Sequence, residues 1–121
     1  MSQNVLNKWI RKFDNAFRGL WRGMRGQSSF LVHIPMAIAV ISLAAVLSLP
    51  LARWCLLLLC IAIVISAEYF NSALEMLAKS ITTEHDTNIE HALNIASAAV
   101  LILAVFASLV GAIIFTDALL N

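Results

Sequence analysis

The chain has 121 residues, 61% of them hydrophobic and 12% charged, with a formal net charge of +1. A soluble domain is roughly half apolar and a quarter charged, so this composition excludes an ordinary water-soluble fold. Nothing in it points to nucleic-acid binding, and Cys55 and Cys60 have neither metal-site spacing nor the pattern of a disulfide framework.

Residues 5–25 predict an amphipathic helix. Leu6, Trp9, Ile10, Phe13, Phe17, Leu20, Trp21 and Met24 recur at helical spacing, with Lys8, Arg11, Lys12, Arg18 and Arg22 mostly off that stripe. Six of the eight basic residues fall between Lys8 and Arg25. Such a helix lies in the membrane interface with its cations toward anionic headgroups. The segment lacks the continuous apolar core of a cleavable signal peptide. Gly23 and Gly26 weaken its end, and Gln27-Ser28-Ser29 reads as a polar connection.

Three apolar runs follow. Gly26 to Ala52 is 27 residues without Asp, Glu, Lys or Arg, Trp54 to Ala67 is 14, and Ala92 to Thr116 is 25. A membrane-spanning helix needs ~20 apolar residues. The spans are placed at 30–49, 54–79 and 92–116, the second running on past Glu68. Pro35 falls one turn inside the first span, where it is tolerated or bends the helix. Ser48-Leu49-Pro50 closes that span, and Arg53 and Trp54 mark the interface beyond it. Small residues Ala96, Ser97, Ala98, Ala99 and Gly111 permit close packing of the third span. The expected architecture is all-α and integral to the membrane, with one domain over residues 1–121. The basic N-terminal segment keeps that end cytoplasmic, which puts the Ser80–His91 loop in the cytoplasm and the C-terminus outside. Arg53 is then a small exception.

Polar residues gather at one depth. Glu68 lies 14 residues past Trp54, or about 21 Å along the helix, in the cytoplasmic third of a ~30 Å core. Glu68, Asn71 and Glu75 share one helix face within about 60°, with the carboxylates roughly 10 Å apart. Asn94, Ser97 and His33 occupy the same leaflet on the other spans. Charge at membrane depth is costly and marks a functional site by default. A carboxylate in a partly apolar setting suits a general base, and a second one nearer water suits Mg²⁺ together with substrate phosphates. That pairing fits phosphoryl transfer. No Walker motif or glycine-rich loop is present. His33 reads as a packed or interfacial histidine rather than a ligand, and Trp9, Trp21 and Trp54 as interface anchors. The alternative is a non-catalytic trimeric membrane protein, or a proton or ion pathway using Glu68. A pathway needs polar residues in the outer half, where they are nearly absent.

The stretch Glu68-x-x-Asn71-Ser72-Ala73-Leu74-Glu75 resembles the signature of the prokaryotic diacylglycerol kinase family, which includes undecaprenol kinases. Phe17-Arg18-Gly19-Leu20 is similar to its surface helix, Gln27-x-x-Phe30-x-Val32-His33 to its entry into the first span, and Ala92 to Leu101 to its third-span motif. The resemblance implies a homotrimeric lipid kinase of the bacterial inner membrane that moves the ATP γ-phosphate to diacylglycerol or undecaprenol with Mg²⁺. It implies Glu68 as general base, Asn71 as a catalytic partner, and Glu75 as metal ligand, with Gln27 a weaker one. It places Lys8, Glu75, Glu84, His85, Asp86 and Asn94 at the nucleotide, and Lys8, Glu68 and Ser97 at the lipid. The chain departs from the family pattern at Gln27 (often Glu), at Leu93-Asn94 (Lys-Asp in well-known members) and at Ala78-Lys79 (usually Val-Asp).

Overall fold

The computed structural model describes residues 2–25 and 30–121, and within them the chain is helical with short connections. Helix α1 is Ser2–Arg25, α2 Phe30–Val46, α3 Leu51–Ile81 and α4 Thr87–Leu120. The α3–α4 hairpin is the main packing unit, and α1 and α2 each rest on α3.

Helix α1 buries no residue, and its apolar stripe from Leu6 to Trp21 is open. Lys12 lies 5.1 Å over the Trp9 ring and Arg25 5.9 Å over Trp21. Cations folded back over aromatic rings keep an apolar body and a charged tip on one helix, as an interface requires. Arg22 and Arg25 also occupy the last turn, where cations complement the helix dipole.

Helix α2 runs unbroken through Pro35 and stops at Val46, short of the predicted Leu49. The stop is a left-handed turn. Ser48 has φ 52°, its N–H donates to the Ala45 carbonyl at 3.2 Å, and the Leu49 N–H donates to the Ala44 carbonyl at 3.3 Å. This is the Schellman pattern, usually built on glycine. It folds Leu49 into a cluster with Ala44, Leu57 and Ile114, and Trp54, Val110 and Phe115 pack around it. Pro50 then starts α3.

With 17 residues, α2 stands at the lower end of the ~17–25 that cross a bilayer. Helices α3 and α4 are long and apolar enough, with mean hydropathies of 2.1 and 2.8. Their lengths of about 46 and 51 Å exceed the hydrocarbon core, so their ends project from it. In their most apolar stretches only 17% of α3 and 6% of α4 is buried within the chain, so lipid or another protein surface must cover the rest. The start of α4 is set by Asp86, whose Oδ1 accepts from the N–H groups of Asn88 and Ile89 at 2.9 and 3.1 Å. This cap extends the helix five residues ahead of the predicted span.

Arg53, the expected exception to charge asymmetry, has a partner: its guanidinium pairs with Asp117 near the end of α4. The apolar cluster and this ion pair hold one end of the bundle. Toward the other end the buried residues of α3 are polar.

Candidate active site

That polar end is built mainly by two turns of α3. Glu68 is 4% exposed, Asn71 8% and Ser72 3%. Ser72 spends its hydroxyl locally, donating to the Glu68 backbone carbonyl at 2.9 Å, and so leaves the Glu68 side chain alone. The carboxylate is met from α2: His33 Nε2 lies 3.0 Å from Glu68 Oε1. An ionised carboxylate only accepts, so opposite one the imidazole Nε2 is the donor. Buried charge persists only with such a partner. The sequence placed His33 at the right depth but not in contact. Only the relative rotation of α2 and α3 decides that.

One turn on, Asn71 Nδ2 donates to Glu75 Oε1 at 3.1 Å. The acceptor-only carboxylate fixes the amide's orientation and turns its oxygen the other way. Asn71 Oδ1 is buried and has no hydrogen-bond partner among the described residues. A buried orphan acceptor costs about 1–3 kcal/mol. Amide and carboxylate oxygens are both hard-cation donors, but the Asn71 oxygen faces a cation shared with Glu75 only once the amide turns over; Mg²⁺ uses one or two carboxylates and completes its shell with phosphates and water. No group of three His, Cys, Asp or Glu gathers among the described residues, so a dedicated all-protein metal cage is absent from them.

Tyr69, about 100° around the helix from Glu68, faces α1. Its hydroxyl donates to the Leu20 carbonyl at 2.6 Å, and its ring lies 5.0 Å from that of Phe30 at 59°. A Cβ on Gly23 would stand 2.5 Å from this ring. The basic helix, the start of α2 and the polar turns of α3 therefore meet at one residue.

The other predicted residues are dispersed. Lys8 is exposed on α1, about 18 Å along the axis from Leu20. In the loop, the Glu84 N–H donates to Thr82 Oγ1 at 3.0 Å, and His85 Nε2 pairs with Glu90 Oε2 at 2.8 Å. Asp86 caps α4. Asn94 and Ser97 are exposed on α4. Gln27 lies outside the described residues.

The family model for prokaryotic diacylglycerol kinase matches residues 14–115. The chain belongs to the prokaryotic diacylglycerol kinase family. It is also 31% identical over 113 residues to the undecaprenol kinase of Bacillus subtilis (strain 168), covering 93% of this chain and 92% of that one. The family match takes in the whole Glu68–Glu75 segment, His33, Tyr69 and the 82–86 loop. Lys8 and Asp117 fall outside it. The buried Glu68, the second carboxylate Glu75 and the orphan Asn71 oxygen all lie on one helix face inside the matched segment.

Proposed function

We propose that the protein transfers the γ-phosphate of ATP to the hydroxyl of a membrane lipid, either diacylglycerol or undecaprenol, at the polar end of the bundle. The observation that carries this is Glu68, 4% exposed inside an apolar helix of a kinase-family chain. Glu68 takes the proton of the lipid hydroxyl, the alcohol oxygen bonds to the γ-phosphorus, and the bond from phosphorus to the departing ADP breaks. Glu75, Asn71 and Gln27 would hold Mg²⁺, which when bound supplies charge neutralisation for the phosphates. Positioning and electrostatics account for most of phosphoryl-transfer catalysis, so few groups suffice.

Glu84, His85, Asp86 and Asn94 border the nucleotide, and Ser97 the lipid. Lys8 is remote from Glu68 within one chain and reaches the phosphates or the lipid from a neighbouring copy. A homotrimer brings it there, and the open apolar surfaces of α3 and α4 support such an assembly. The cationic α1 supports a cytoplasmic N-terminus in the bacterial inner membrane, with α2, α3 and α4 as three spans and the C-terminus outside.

The test is transfer from labelled ATP by purified protein in mixed micelles, with diacylglycerol and undecaprenol offered side by side. Labelled lipid is expected from at least one. Glu68→Gln should lose at least 100-fold in rate, the scale of general-base catalysis. No labelled lipid, or an unimpaired Glu68→Gln, overturns the reading.

A further inference from the structure

His33 reaches Glu68 across 35 residues of sequence, with Nε2 3.0 Å from Oε1. The Glu68 side chain is 5% exposed and that of His33 22%. His33 also lines the apolar groove between α2, α3 and α4, a space of about 570 Å³, with Met36, Val40, Val64 and Phe115. It therefore stands where the groove meets the buried carboxylate. With Oε1 engaged by the imidazole N–H, Oε2 is the oxygen left for another proton.

We propose that His33 is the positioning residue of the kinase reaction, holding Glu68 by Oε1 so that the lipid hydroxyl delivers its proton to Oε2. The inference rests on the lipid-kinase reading and adds a residue to it. The proton balance is complete without transfer to the imidazole. The hydroxyl proton bonds to Oε2, and Oε1 becomes the carbonyl oxygen of the neutral acid and still accepts from Nε2. The contact is thus kept in both protonation states of Glu68, and the ring fixes one carboxyl orientation throughout. An unheld carboxyl rotates, and misplacement of about 1 Å can cost 100-fold.

The experiment measures kcat and KM for both substrates in His33→Ala and His33→Gln, each alone and combined with Glu68→Gln, with thermal unfolding in micelles as the folding control. His33→Ala is expected to lower kcat 10- to 100-fold with KM changed less than threefold. His33→Gln keeps a side-chain N–H donor at similar reach and should stay within threefold of wild type. In the Glu68→Gln background His33→Ala should cost less than a further threefold, because the histidine acts through the carboxylate. A His33→Ala enzyme at full kcat overturns the role, as does a full further loss in the double variant. Should His33→Ala fail to fold, His33→Gln decides: a folded but slow enzyme overturns the role, and a fast one supports it. A wild-type chain that labels no lipid, by contrast, overturns the kinase reading itself.

Discussion

The Tyr69 hydroxyl donates to the Leu20 carbonyl at 2.6 Å, joining the basic helix α1 to the residue next to Glu68. The joint is tight on the α1 side, because a Cβ on Gly23 would lie 2.5 and 2.6 Å from Tyr69 ring atoms. The ring cannot swing away freely while Phe30 flanks it and its hydroxyl is bonded.

Gly23→Ala should therefore destabilise the protein. In an open helix the same change stabilises by roughly 0.5–1 kcal/mol. Overpacking costs about 1–3 kcal/mol and reverses the sign. Gly19→Ala, with nothing within 4 Å, is the matched control and should hold or raise the unfolding midpoint in micelles. A Gly23→Ala protein melting at or above Gly19→Ala would show that α1 does not press on Tyr69.

Ser48 is the opposite case. It holds φ 52° in the turn that ends α2, a conformation that costs an L-residue ~1 kcal/mol and glycine almost nothing. Ser48→Gly should gain about 0.5–1 kcal/mol, and β-branched Ser48→Val should lose at least that much. Denaturant unfolding in micelles reads both, and an unstable Ser48→Gly would count against the left-handed stop.

Asp117 lies just past the apolar run of α4. Its hydrogen bond from Arg53, then that from Asn121 and the charge of Arg53, hold its carboxyl below the ordinary 3.8, against a smaller opposing effect of burial. A carboxyl lowered on folding contributes stability that is present above the ordinary value and lost as pH falls through the lowered one. Asp117→Asn should therefore melt below wild type at neutral pH, and the gap should close below pH 3.8. A gap that persists unchanged in acid would mean the pair contributes through packing and not through charge.

The metal assignment predicts rates that respond to Mg²⁺ concentration. Glu75→Gln and Asn71→Ala should each raise the Mg²⁺ needed for half-maximal transfer, by about tenfold or more for the lost carboxylate charge. Gln27→Glu adds a negative charge and should lower it. Rate against Mg²⁺ at fixed ATP checks all three. Unchanged titrations in the Glu75 and Asn71 variants would move the metal elsewhere.

Much of this molecule is local. The basic leader, the apolar α3 and α4 and the shared face of Glu68, Asn71 and Glu75 follow from composition and the 3.6-residue period, which need no knowledge of neighbouring helices. Helix ends depended on particular turns: a left-handed Ser48 shortened α2, and the Asp86 cap lengthened α4. What only the tertiary structure decided are the contacts His33–Glu68, Tyr69–Leu20 and Arg53–Asp117, 35, 49 and 64 residues apart in sequence. In a soluble helix the apolar stripe says which face turns inward. Helices α2 and α4 are apolar around most of their circumference, so the sequence carries little information on their rotation. Their rotation and axial register determine which oxygen of Glu68 is held and which is left open.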